Sequence, residues 1–344
     1  MRYMEPTSQE IRMRKDLVQR FTKLITSFDM DASIRPVGSY VTGLYLPTSD
    51  IDMVITFSLQ TEIRLGGYSS RLGRSDCLYI LIGKIRVSGF ASRVDDVLRA
   101  KVPLIRITDK ITGIQIDLTE SDTHAVKATK AVQEWLQHSS PAKPLLFVAK
   151  MFLSIRRCGT TYTGGINSYA LFWMVVAWVK LEMPKKKPVA NISDYDSLTT
   201  AFGGLSMSKE SAATSSSNSE GVDLGELLIK FLKFYAEEFY YERNGIEILP
   251  TPRYCNKICG YSQPYLLSIY DPANTFIDMG SKAYGIKHIQ ASFKNAYQSL
   301  SDLESKRKSN RFVGEAGILG SVLGGDYTKF VEKRRLAVAR IPSI

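Results

Sequence analysis

Cysteine and histidine are scarce in this chain of 344 residues, with four and three copies. Cys77, Cys158, Cys255 and Cys259 are too few and too scattered for a disulfide framework, which fits a reducing compartment. Cys255 and Cys259 have no second Cys or His pair nearby, so structural zinc is not expected. Long apolar runs are missing as well. The most apolar stretch, around 170–179, is too short to span a bilayer. The opening Met1-Arg2-Tyr3-Met4-Glu5-Pro6 does not read as a secretory signal, and no internal repeat is visible. What the chain does have is positive charge: 45 Lys and Arg against 34 Asp and Glu, a net +11 and a pI near 9.3. That balance favours a polyanionic partner, RNA or DNA. Hydrophobic residues at 44% are ample for a core, and the length accommodates two packed lobes.

The densest signal is residues 37–52, Val-Gly-Ser-Tyr-Val-Thr-Gly-Leu-Tyr-Leu-Pro-Thr-Ser-Asp-Ile-Asp. Gly38 lets backbone approach a ligand closely, and Ser39 adds a hydroxyl and an N–H, a pairing that suits phosphate. Ile51, Met53, Val54 and Ile55 then read as strand. Residues two apart on a strand point to one face, about 6–7 Å from each other. Asp50 and Asp52 therefore aim two carboxylates into one cleft. Hard oxygen ligands beside a triphosphate favour Mg²⁺. Ordinary turn chemistry over Pro47-Thr48-Ser49-Asp50 accounts for Asp50, but not for Asp52 inside the strand. The arrangement reads as metal-assisted nucleotidyl transfer.

Such chemistry needs carboxylates that hold two ions about 3.5–4 Å apart, and a third acidic residue completes the second site. Asp117 is the candidate, set between Ile116 and Leu118 in an apolar strand. An unpaired buried carboxylate there would be costly. Alone, Asp117 reads better as a strand residue paired with a nearby Lys or Arg; with Asp50 and Asp52 upstream, the metal-ligand reading is favoured.

Residues 7–28 read as an amphipathic helix, capped by Thr7 or Ser8 with Glu10 in its first turn. Strands are expected over 34–37, 51–57, 102–108 and 114–119, with a Gly-Ser turn after the first and a loop over 58–76 with room for one helix. From 124 onward the pattern is helical: 124–137, 142–157, 166–181, 223–240 and 286–303. Residues 206–221 are low complexity and read as a mobile surface insertion.

Gly38-Ser39, Thr42-Gly43-Leu44, Leu46-Pro47, Ser49-Asp50-Ile51-Asp52 and Asp117 resemble the DNA polymerase β-like nucleotidyltransferase superfamily. The closer resemblance is to the TRAMP-type template-independent poly(A) RNA polymerases. It is carried by Pro-Leu-Leu-Phe-Val-Ala-Lys-Met-Phe-Leu-Ser-Ile-Arg-Arg at 144–157 and Thr-Gly-Gly-Ile-Asn-Ser-Tyr-Ala-Leu at 163–171. Leu-Gly-Glu-Leu-Leu at 224–228, Tyr270-Asp271-Pro272 and Ile-Asp-Met-Gly-Ser-Lys-Ala-Tyr-Gly at 277–285 add to it. The resemblance implies an α+β fold: a polymerase β-like nucleotidyltransferase catalytic domain with a mixed sheet over 17–130, and a mostly helical central (PAP-associated) domain from 1–16 and 131–344. ATP would lie between them. Gly38 and Ser39 would hold its terminal phosphates, and Asp50, Asp52 and Asp117 would bind Mg²⁺ or Mn²⁺. Lys150 matches a lysine that contacts the triphosphate, Ser168 a phosphate-contacting serine, and Tyr169 an aromatic that stacks on the base. The alternative for Lys150 is a solvated helix charge, with the triphosphate contact favoured by the pattern around it; on sequence alone Tyr169 is equally a core tyrosine.

Two positions depart from relatives. Ser154 stands where some carry a second basic residue, and Ala128-Thr129 replaces the ribose-contacting Asn-Thr of uridylyl-adding relatives. After Asp271-Pro272, Asn274 stands near the position that is acidic in uridylyl-adding relatives; its donor and acceptor can read adenine. The resemblance therefore favours AMP addition from ATP to RNA 3′ ends, with a terminal uridylyltransferase as the alternative and an inactive scaffold subunit as a third reading. With no RNA-recognition fold in the sequence, grip on RNA falls to diffuse basic surface such as 185–187, 306–308 and 333–335. The family analogy adds a zinc-knuckle RNA-binding subunit, an RNA helicase and a nuclear location, with an organellar one left open; no membrane partner is expected.

Overall fold

In the computed structural model, the residues described are 4–28, 31–58, 75–100, 102–120, 123–137, 142–183, 223–257, 263–308, 320, 322–323 and 326–339. The expected insertion at 206–221, the basic run at 185–187 and Cys259 lie outside them. Thr7 begins helix α1 (Ser8–Thr26): its hydroxyl accepts the Glu10 N–H while the Glu10 carboxylate accepts the Thr7 N–H, a reciprocal cap. One stripe of α1, Met13, Leu17, Phe21 and Ile25, is buried against a five-stranded sheet. Each such side chain contributes roughly 1.5–3 kcal/mol of burial.

The strands are β1 (Ala32–Pro36), β2 (Ile51–Phe57), β3 (Ala91–Val97), β4 (Leu104–Asp109) and β5 (Gln115–Glu120), in the order β1-β2-β5-β4-β3. Only β2 and β5 run parallel, so the sheet is mixed. Ile51, Met53 and Ile55, Ile105 and Ile107, and Ile116 and Leu118 fill one core with α1 and helix α3 (Ser75–Val87). Strand alternation then sends Asp52, Arg106 and Asp117 to the opposite face. The segment expected as a Gly-Ser turn is instead a short helix, α2 (Gly38–Thr42), closed by Gly43 in the left-handed region. Sequence reading passed over β3 and nearly all of α3; β3 is half-exposed and carries Arg93, Asp95 and Asp96, so it lacks an apolar signature.

The rest is mainly helical: α4 (Thr123–Leu136), α5 (Ala142–Ile155), α6 (Ser168–Leu181), α7 (Leu224–Lys233), α8 (Ile286–Lys308) and α9 (Asp326–Ala339). Helix α6 is buried on all sides from Ala170 to Val179, which explains the apolar run: it is the central helix of a second core. It starts at Ser168, two residues later than expected, because Asn167 caps it by accepting the Ala170 N–H. The helix expected over 223–240 is regular only to Lys233 and passes into a π-helical turn over Phe234–Glu238, where consecutive Phe234 and Tyr235 are both buried. Two small antiparallel pairs were not anticipated: β6 (Asn244–Glu247) with β7 (Arg253–Asn256), and β8 (Tyr270–Asp271) with β9 (Asn274–Asp278). Strands of two to five residues leave too short a pattern to read. Arg334, in the basic cluster 333–335, is not free surface. It makes two 2.7 Å hydrogen bonds to the buried Glu10 and pins α9 to α1. Among the described residues, no helix is long and apolar enough to cross a membrane.

Candidate active site

A cavity of about 360 Å³ lies where the polar face of the sheet meets α2, α4, α5 and α6. Gly38, Ser39, Asp50, Asp52, Asp117, Lys150, Ser168 and Tyr169 all line it. Asn274 does not; it is exposed on β9, and its side chain accepts the Phe276 N–H.

The register of β2 and β5 sets Asp52 directly beside Asp117. Asp50 immediately precedes β2 on the same edge of the cavity. Burial pushes the Asp52 carboxyl up to about 7, with repulsion from Asp50 and then Asp117 adding to it; Lys150 and Arg106 pull the other way without cancelling the effect. Asp50 is raised for the same reasons, burial first and Asp117 next. The opposite cation, Arg106, is paired with Asp117 across β4 and β5 and donates to both its oxygens, at 2.8 and 2.6 Å. That bond raises the Arg106 pKa further.

Gly38 has φ +65°, and a Cβ there would sit 2.9 Å from an Asp52 carboxylate oxygen, so no other residue fits without displacing it. The Gly38 N–H already donates to the Thr129 hydroxyl at 2.8 Å, which ties α2 to α4. Lys150 donates to the Leu44 carbonyl at 3.1 Å. Burial lowers its ammonium to about 8, and attraction from Asp50 and Asp52 recovers only part of the loss.

Also on the cavity wall, Tyr169 packs edge-on against Trp173 and donates its hydroxyl to Asp271 at 2.7 Å. His124, at the start of α4, also lines the cavity and stands 2.5 Å from the second Asp271 oxygen. Sequence reading used Asp271 only as part of a motif and did not single out His124.

Arg14 was missed as well. It is fully buried and donates to the carbonyls of Pro47 (2.9 Å) and Ser49 (2.5 Å), so it holds the turn that delivers Asp50, with its guanidinium over the Tyr45 ring. A signal existed: Arg14 and Glu10 sit four apart on the stripe that continues through Leu17 and Phe21.

Among the described residues, no three His, Cys, Asp or Glu side chains are already arranged to hold an ion. The donor set nevertheless suits a hard divalent cation: three carboxylates on one wall repel one another, and two of them have raised proton affinity.

Residues 1–137 match the model of the central palm domain of mitochondrial-like poly(A) RNA polymerases, and residues 223–275 match the Cid1 family poly(A) polymerase model. The Poly(A) RNA polymerase cid14 of Schizosaccharomyces pombe is 29% identical over 94% of this chain and 44% of its own length. The chain resembles the poly(A) RNA polymerases over both matched stretches. The solved polymerase core of TRAMP, an RNA surveillance complex, superposes with a TM-score of 0.71 at 26% identity, covering 94% of this chain and 89% of that one. Trf4-2 of Drosophila melanogaster, named as an inactive poly(A) RNA polymerase, is 27% identical over 91% of this chain and 69% of its own length. The chain spans about half the length of the yeast polymerases it matches.

Proposed function

We propose that this protein adds AMP from ATP to RNA 3′ ends without a template. The observation that carries the reading is the meeting of Asp50, Asp52, Asp117, Gly38, Ser39 and Lys150 on one cavity. Asp50, Asp52 and Asp117 would hold Mg²⁺ or Mn²⁺; when bound, such ions lower the pKa of the attacking 3′-hydroxyl and steady the leaving pyrophosphate. The chain's own contribution is placement. Gly38 keeps its Cα bare against Asp52, Ser39 offers a hydroxyl, and Lys150, largely protonated at neutral pH with a pKa of about 8, offers a point charge to the triphosphate. Ser168 would reach phosphate and Tyr169 would stack on the base. Asn274 stands outside the cavity, so base reading falls to its lining residues. In this reading 17–130 is the catalytic domain and 1–16 with 131–344 the helical one. Basic surface holds RNA, a zinc-knuckle subunit and a helicase assist, and the site of action is the nucleus.

The matched inactive relative brings forward a second reading, a subunit without activity; the three retained aspartates on one cavity favour activity. Extending one labelled RNA with ATP, UTP, CTP or GTP separately, in Mg²⁺, tests both. Preferential ATP incorporation is expected. Preference for UTP makes the protein a uridylyltransferase, and no extension with any nucleotide makes it a scaffold.

A further inference from the structure

Asp271 is fully buried, yet it carries a carboxylate. Its oxygens are all engaged: Oδ1 accepts from the Tyr169 hydroxyl at 2.7 Å and from the Ala273 N–H at 2.8 Å, and Oδ2 meets His124 Nε2 at 2.5 Å. Among the described residues, His124 is the side chain that meets this second oxygen. The three side chains come from distant places: His124 from α4 just after the catalytic sheet, Tyr169 from the first turn of α6, and Asp271 from the β8–β9 hairpin. Two of them, His124 and Tyr169, line the cavity; Asp271 stands behind them.

We propose that Asp271 is a positioning residue that couples His124 to Tyr169 and thereby sets the affinity of the cleft for the nucleotide base. The inference rests on the reading of this cleft as an ATP site. A tyrosine ring turns about two side-chain torsions, and ordering it costs free energy unless its far end is held. The Tyr169 hydroxyl is held by Asp271, while the Trp173 edge supports the ring. A buried carboxyl oxygen without a donor is costly, and His124 supplies one to the second oxygen. With Nε2 donating to the carboxylate, the imidazole is fixed in orientation at the cavity wall. One buried acid thus orders two side chains on the base end, and none of its bonds reaches Asp50, Asp52 or Asp117. Loss of the coupling is therefore felt in nucleotide binding more than in the chemical step.

The test compares steady-state extension of a labelled RNA by the full chain, with ATP varied, for wild type, His124→Leu, Tyr169→Phe and the double variant. Each single change is expected to raise KM for ATP about tenfold, mainly through KM and not kcat. Because both act through one carboxylate, the double variant is expected to match the worse single variant, not the product of the two. His124→Gln, whose amide can still donate to Asp271, is expected to keep KM within about twofold of wild type. Circular dichroism of every variant checks that it is folded. Wild-type KM in both single variants, multiplicative effects in the double, or a Gln variant as impaired as the Leu variant overturns the inference while the proposed activity stands. A wild-type protein that incorporates no ATP overturns the proposed activity itself, and the inference with it.

Discussion

Asp52 and Asp117 meet because they occupy neighbouring positions on parallel strands, whereas His124 and Tyr169 meet through a carboxylate 147 and 102 residues away from them in the chain. The first arrangement is written into sheet register, which cannot slip by one residue without turning the apolar faces of β2 and β5 to the wrong side. The second depends on a short hairpin packing against two helices. The acidic end of the cleft is thus rigid, crowded and electrostatically strained. The wall carrying His124 and Tyr169 is held by a few replaceable hydrogen bonds, so changes there leave the carboxylate wall in place.

The sharpest way to break this contrast is Asp52→Asn. We expect nucleotide incorporation to fall about 1000-fold or more in an RNA extension assay, while the melting temperature at pH 8 stays level or rises. The sign follows from the raised pKa: an ionised Asp52 costs stability in the fold, and the neutral amide removes that cost. A large fall in melting temperature would mean that the carboxylate wall is structural. Next in size is Arg14→Leu. It leaves the Pro47 and Ser49 carbonyls without their donor and frees the turn carrying Asp50, so kcat should drop about 100-fold and urea unfolding should show a loss of about 2–4 kcal/mol. Unchanged kcat would show that Asp50 is placed by β2 alone.

Smaller effects sharpen the picture. Arg106→Gln removes the cation on Asp117, and without Mg²⁺ it should lower the melting temperature by about 2 °C, with Mg²⁺ restoring more stability than it adds to wild type. Equal Mg²⁺ shifts in the two proteins would remove Arg106 from the ion's neighbourhood. In wild type, Asp50 and Asp52 bind protons more tightly folded than unfolded. Their contribution to stability therefore falls as pH rises from an unfolded value of about 3.9 toward the folded value of about 7 for Asp52. A divalent ion needs the ionised forms, so the Mg²⁺-induced rise in melting temperature should be larger at pH 8 than at pH 6. A pH-independent rise would place the ion elsewhere.

The strongest local patterns were the legible ones. The capping box of α1 was visible as a local motif, and the strand Ile51–Phe57 and the buried run of α6 as apolar stretches of the right length. The half-exposed β3 and the two small hairpins had no such period. Asn274 was selected by its distance from Asp271-Pro272. In the fold, the hairpin turns it outward and leaves Asp271, three residues earlier, buried behind the cavity wall. Arg106 illustrates the same limit, since nothing near position 106 announces that β4 will lie beside β5 with this arginine opposite Asp117.

From sequence alone came the acidic pair two residues apart, the glycine and serine before it, the third aspartate in its strand and the helical second half. Each follows from chemistry or periodicity within one stretch of chain. Tertiary structure decided which cation neutralises which carboxylate, which acid stands behind the tyrosine, and which arginine bears the Asp50 turn. Those pairings join residues tens to hundreds of positions apart, and burial forces a charged group to find a partner without specifying in the local sequence which one it will be.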